Sequence, residues 1–188
     1  MKKLALALIF CGVSAFANPV PAFTSVTYLT SGAFTGSDVN SSGTALKNGG
    51  ATISFVQQAV QTVNAPTNIN LGSIVVSGGI GDFTNDFFTL TIVQTAPTVG
   101  TATTSTTLTG EITGNSDDLT LSFSPSTVKI GDISYILQNS KYFLVAPNTN
   151  HGTTTLQAEV VAPEPASLGL IGSSLLGLGL AFRRRFAK

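Results

Sequence analysis

A supported histidine, a set of carboxylates at calcium-binding spacing, or two carboxylates facing each other across a cleft would each give this chain a chemistry. The sole histidine, His151, sits in Asn148-Thr149-Asn150-His151-Gly152. A hydrolytic triad or imidazole metal site needs partners that orient the ring, and nothing local pairs with it, so a surface-turn residue is expected. Asp82, Asn85 and Asp86 lie close enough in sequence to offer oxygens to calcium, and Asp117-Asp118 forms a second acidic turn. Neither has the ligand spacing of a calcium loop, and solvated turns are expected at both. Some pair of acids could serve glycoside hydrolysis, yet the chain has no tryptophan to stack a sugar. Phosphate loops, dinucleotide fingerprints, nucleophile elbows and zinc motifs are missing from the sequence. No cofactor, no metal and no catalysis are therefore expected.

The elements that must position these residues read as antiparallel strands. Serine and threonine make up 41 of the 145 residues from 18 to 162, a composition that favours strands with a solvated hydroxyl face. In Phe88-Thr89-Leu90-Thr91-Ile92 and Leu119-Thr120-Leu121-Ser122-Phe123, apolar and hydroxyl residues alternate as a half-buried strand requires; Leu156 to Val160 repeats the pattern. Further strands are expected at 24–29, 52–56, 69–76, 107–112, 128–130, 133–138 and 142–145. Turn clusters such as Ser77-Gly78-Gly79, Gly131-Asp132 and Pro147-Asn148 separate them. This spacing predicts a mainly β, antiparallel sandwich or jelly-roll-like body. Residues 31–50 are expected as a mobile loop, 97–105 as a second loop, and 55–63 as a strand that also fits a helical stripe.

Charge is segregated along the sequence. Between residues 18 and 162 there are three lysines and eight carboxylates, a net of minus five, while the remaining bases sit at the two ends. A sparse acidic surface repels phosphate backbones, which argues against a nucleic-acid partner. Cys11 is the one cysteine, and Phe10 rather than a small residue precedes it, so neither a disulfide nor a lipid-anchored cysteine is expected.

Both ends read as addresses. Lys2 and Lys3, the apolar run Leu4 to Phe10, and Ala15-Phe16-Ala17 make up the three parts of a secretory signal peptide over 1–17, with cleavage by signal peptidase between Ala17 and Asn18. The apolar run is about half the roughly 20 residues needed to span hydrocarbon. At the other end Pro163-Glu164-Pro165 precede an almost uncharged Leu/Gly/Ala run and then Arg183, Arg184 and Arg185. From 166 to 182 is about 25 Å of helix, barely long enough to cross a bilayer. The arginines would remain cytoplasmic and stop transfer. Two prolines fix φ and remove N–H groups, which keeps the neck extended. Gly169, Ser173, Gly177 and Ala181 form a small-residue stripe on that helix, a feature this composition produces easily.

The order Pro-Glu-Pro, apolar segment, arginine cluster over 163–188 resembles the PEP-CTERM sorting signal of bacteria with an outer membrane. The resemblance implies a substrate of an exosortase, a membrane enzyme with a cysteine nucleophile that cleaves near the motif. Pro163, Glu164 and Pro165 would then be recognition residues and Arg183 to Arg185 the retention cluster. It also implies a membrane-anchored precursor transiently in the inner membrane, then a location on the outer surface or in the extracellular matrix. Such proteins are associated with exopolysaccharide and biofilm, so a structural or adhesive matrix role for the 18–162 body is the leading expectation. A carbohydrate- or ice-binding module comes second, prompted by Thr101 to Thr109, although an expected loop there argues against an ice face. A secreted hydrolase comes third.

Overall fold

The computed structural model describes residues 24–113, 116–163 and 172–178. The expected signal peptide lies outside the described residues, and only 172–178 of the expected membrane helix falls within them. One compact unit spans Phe23–Pro163. It contains thirteen strands and one short 3-10 turn, where about ten strands are expected from the sequence.

Two antiparallel sheets make up the unit. Sheet A is seven-stranded. Its continuous path runs β12 (Lys141–Phe143), β9 (Thr120–Ser124), β7 (Gly100–Thr113), β6 (Gly81–Ala96), β1 (Thr24–Thr35) and β4 (Gln61–Ala65), with β8 (Ser116–Asp117) paired to β7. Sheet B runs β10 (Thr127–Ile130), β11 (Ile133–Leu137), β13 (Thr153–Val161), β5 (Thr67–Gly78), β3 (Ala51–Gln57) and β2 (Ala45–Asn48). Each sheet turns one face inward, as strict alternation demands. Along β6, Phe88, Leu90, Ile92 and Gln94 are buried while Phe87, Thr89, Thr91, Val93 and Thr95 point outward.

The two inner faces are chemically different. Sheet A contributes most of the aromatics: Phe34, Phe88 and Phe123, with Phe88 at 4.9 Å from Phe34, 5.1 Å from Phe55 and 6.3 Å from Phe123, ring centroid to centroid. Sheet B answers chiefly with aliphatics such as Ile53, Leu71, Ile74, Val76 and Leu156. Removing these side chains from water stabilises the fold by about 1.5–3 kcal/mol each.

Polar side chains tie the sheets together through that core. All three tyrosines reach across it. The Tyr28 hydroxyl donates to the Asn70 carbonyl at 2.9 Å, Tyr135 to Gln94 Oε1 at 2.7 Å, and Tyr142 to the Gln157 carbonyl at 3.0 Å. Burial pushes the Tyr28 hydroxyl up to about 12, and burial, then Tyr28 nearby, raises Tyr135 further. Thr30, fully buried, donates to the Leu71 carbonyl at 2.8 Å and accepts from the Gln58 N–H at 2.9 Å.

Several expectations are corrected. The expected loop over 31–50 is nearly half strand: β1 runs on to Thr35, and β2 begins at Ala45 after the 36–44 connection. Gly32 belongs to that strand because a Cβ there would come within 2.5 Å of both Phe55 and Phe88; glycine here marks close approach, not a turn. The expected loop over 97–105 shrinks to 97–99. Strand β7 begins at Gly100 with Thr104 and Thr106 facing inward, so both of its faces carry hydroxyls and apolar alternation is absent. Thr104 Oγ1 donates to the Pro125 carbonyl at 2.6 Å and Thr106 Oγ1 to the Thr107 carbonyl at 3.1 Å, which satisfies the buried hydroxyls. The expected strand over 55–63 is two strands, β3 and β4, because the chain crosses from sheet B to sheet A at 58–60.

Candidate functional site

The sorting segment leaves the body directly after β13. That strand is paired on both sides, to β11 through Ser134↔Val161 and to β5 through Val160↔Thr67, so the neck hangs from a strand held by two hydrogen-bond ladders. Ala162 packs partly against the core and Pro163 is exposed. Glu164, Pro165, Arg183, Arg184, Arg185, Ala15, Ala17 and Asn18 lie outside the described residues. A helix spans 172–178, with Leu175, Leu176 and Leu178 exposed. Among the described residues, no helix is long and apolar enough to cross a membrane.

The body residues that the sequence singles out, His151, Asp82, Asn85 and Asp86, do not converge on one site. His151 is exposed in the turn Asn150–Gly152, with φ of 53°, and the next residue, buried Gly152, sits against the Val76 carbonyl. Among the described residues, no three His, Cys, Asp or Glu gather as metal ligands do. The Asp82, Asn85 and Asp86 set is split by a bulge in β6 between Phe83 and Asp86, where Asn85 has φ of 62°. Asp82 faces outward opposite Glu111, while Asp86 turns inward and is fully buried. This corrects the solvated turn expected at Asp86. Its carboxyl is held above the usual carboxylate range, chiefly by burial, against which N–H groups of the 37–38 backbone act.

The outer face of sheet A is an ordered surface. Across the strands its residues form rows: Lys141, Ser122, Thr107, Phe87 and Thr35; then Ser124, Ser105, Thr89 and Ala33; then Thr103, Thr91 and Ser31; then Thr101, Val93 and Leu29. Phe143, Thr120 and Thr109 form another row on the far side of the first. Outward neighbours along a strand are about 6.8 Å apart and adjacent strands about 4.8 Å apart. The β6–β7 register is unbroken from Asp86↔Leu108 to Gln94↔Gly100, so the rows stay aligned through the middle of the sheet. Thr89 Oγ1 lies 3.1 Å from Ser105 Oγ, and Thr27 Oγ1 lies 2.9 Å from Thr62 Oγ1.

Among the described residues, formal charge enters this face at its margins, through Lys141, Asp82 and Glu111. Two exposed phenylalanines interrupt the hydroxyls: Phe87 near the centre and Phe143 on the edge strand, where Lys141 Nζ stands 5.0 Å from its ring centroid. Three strand spacings, about 14 Å, separate β12 from β6. Such a face can donate and accept hydrogen bonds with a neutral, hydroxyl-rich partner and stack a ring at two points. The alternation Thr101, Thr103, Ser105, Thr107, Thr109 is the sequence signal for it.

The PEP-CTERM protein-sorting motif matches residues 161–185. No curated protein and no solved structure matches the chain. The motif covers the stretch that begins at the end of β13 and takes in Pro163, Glu164, Pro165 and the three arginines. It marks the chain as an extracellular protein anchored in a membrane and then processed by an exosortase.

Proposed function

We propose that this chain is a non-catalytic structural or adhesive protein of the outer cell surface or extracellular matrix. On this reading signal peptidase cuts after Ala17, the apolar segment 166–182 holds a precursor in the inner membrane with Arg183 to Arg185 inside, and the exosortase cuts near Pro163. The β-body then associates with exopolysaccharide. One observation supports the adhesive part above others: the outer face of sheet A combines uncharged hydroxyl rows with exposed Phe87 and Phe143. Sugars present hydroxyl edges and apolar C–H faces, and this face offers a counterpart to both.

The test is fractionation with mass spectrometry in the native host, with and without its exosortase, followed by co-sedimentation of the released protein with the host's own polysaccharide. We expect a carboxyl end near Pro163 only when the enzyme is present, and co-sedimentation of the released form. A carboxyl terminus at Lys188 in both strains refutes the sorting part. Absence of the protein from washed polysaccharide refutes the adhesive part.

A second reading, ice binding, gains support from the same face, because residues 101–109 lie in a regular strand and not in a loop. Thermal hysteresis of the purified protein decides it: a freezing-point depression beyond the colligative value favours ice, and none removes it.

A further inference from the structure

Asp86 is the residue whose surroundings the fold leaves incomplete. It is fully buried, and its Oδ2 is the one buried side-chain oxygen or nitrogen without a hydrogen-bond partner among the described residues. Its Oδ1 accepts the Asp38 N–H at 3.2 Å. The loop is drawn close at this point, since a Cβ on Gly36, whose φ is +141°, would fall within 2.1 Å of Oδ1. The Asp38 N–H bond brings half-buried Asp38 beside Asp86, and the Asp38 carboxyl adds to the upward push that burial gives the Asp86 carboxyl. No ion pair reaches either carboxyl among the described residues.

Two carboxyl groups held together, one of them buried and half-satisfied, need something positive between them. An unsatisfied buried acceptor destabilises a fold by about 1–3 kcal/mol, more when charged. A proton would relieve the repulsion. A divalent cation would relieve it more fully, because two carboxylates neutralise its charge and water can complete the oxygen shell. We propose that Asp38 and Asp86 form a calcium site that clasps the 36–44 loop to the end of sheet A. Calcium fits this donor set better than magnesium, since it accepts six to eight oxygens in irregular arrangements whereas magnesium demands a near-ideal octahedron. Extracellular modules bind calcium at roughly 0.1–1 mM, so a modest site of this kind would be filled outside a cell. The clasp adjoins Phe87, which pairs with Thr35 at the last register of β1 and β6. It would thereby fix one end of the hydroxyl face, whatever that face binds.

Scanning calorimetry on the exported protein purified from its host, in EDTA or in CaCl2 at 10 mM, tests the clasp. Calcium is expected to raise Tm by about 4–8 °C, reversibly with EDTA. Asp38→Asn, which alters a half-exposed residue and leaves the core intact, and Asp86→Asn should each remove that shift. Asp82→Asn, on the opposite face of β6, should retain it. MgCl2 at the same concentration should give less than half the effect. Identical Tm in EDTA and CaCl2, a shift that survives both Asp38→Asn and Asp86→Asn, or a magnesium effect as large as that of calcium overturns the proposal.

Discussion

The outer faces of the two sheets are built on the same alternation and carry different chemistry. On sheet A the central rows are Thr, Ser and two exposed Phe, with charge at the margins. Sheet B turns outward Lys47, Lys129, Glu159 and Gln157 among its exposed residues, together with Asn68, Asn70, Val56 and Ile136. Its central register is also interrupted, at Leu156/Gln157 of β13, where Gly72 of β5 adopts φ of +112°. Mixed charge and amides make an ordinary solvated surface. A largely uncharged hydroxyl lattice has no such use in solubility, since charged side chains do that work better. On the adhesive function proposed above, recognition belongs to sheet A and sheet B is its support.

The support claim can be broken at the core. Phe88 touches three aromatic rings from beneath the hydroxyl face, whereas Val76 on sheet B is a buried aliphatic with no ring to stack. Phe88→Ala should destabilise by about 3–5 kcal/mol, measured by urea unfolding. Val76→Ala removes fewer buried methyl groups and should lower stability by about half as much. Equal losses would mean that the aromatic cluster does not organise sheet A.

The sheets should also part together at high pH. Tyr28 binds its proton more tightly when folded, because burial pushes it up to about 12 against an ordinary 10. A folded acid with a raised pKa is stabilising while protonated, so this contribution is intact below pH 10 and disappears as pH climbs from 10 to 12. The loss is about 2–3 kcal/mol from Tyr28. Tyr28→Phe should flatten that stretch of the profile, at a neutral-pH loss of about 1 kcal/mol for the hydrogen bond to Asn70. An unchanged slope would show that the alkaline loss comes from elsewhere.

How far the sequence reveals this molecule depends on which residues keep the alternation visible. Leu119 to Phe123 and Leu156 to Val160 read as strands because apolar residues fall on one face only. The first half of β7 does not, since Thr104 and Thr106 take core positions, where Thr104 finds its acceptor at Pro125 and Thr106 at the adjoining Thr107 carbonyl. Gly32 and the 58–60 crossing are hidden for a related reason: each is fixed by aromatic packing or by Thr30, contacts that only the folded sheets create. The hydroxyl face was half legible, its threonines obvious and its strand not. Asp86 was grouped with Asp82 by proximity, yet its partner is Asp38, 48 residues earlier, and β alternation sends Asp82 the other way. The sorting tail is the opposite case, because its parts are contiguous and need no fold to be read.

Binding can be set against its own control. Phe87 on sheet A and Ile136 on sheet B have similar exposure, 43% and 37%, so truncating either should change stability little. If sheet A is the recognition face, Phe87→Ala should weaken co-sedimentation with the host polysaccharide about tenfold, the equivalent of about 1.4 kcal/mol. Ile136→Ala should leave it unchanged. Equal losses would place the contact on both sheets or on neither.

The finest comparison uses the hydroxyl pairs themselves. Thr89 and Ser105 face each other across β6 and β7 at 3.1 Å, and Ser73 and Thr155 do so across β5 and β13 at 3.4 Å. Cross-strand pairs of this kind contribute about 0.2–1 kcal/mol. A double-mutant cycle to alanine should give a coupling near the middle of that range for the pair on sheet A and nearer its floor for the pair on sheet B, where the distance is at the limit for a hydroxyl bond. The reason is register. The Thr89–Ser105 pair lies within the unbroken β6–β7 ladder, whereas Thr155 is one residue from the β13 irregularity, so its hydroxyl is held less squarely against its neighbour. A coupling on sheet B as large as that on sheet A would mean that the bulge leaves the outer lattice undisturbed, and the regularity attributed to sheet A would no longer set it apart.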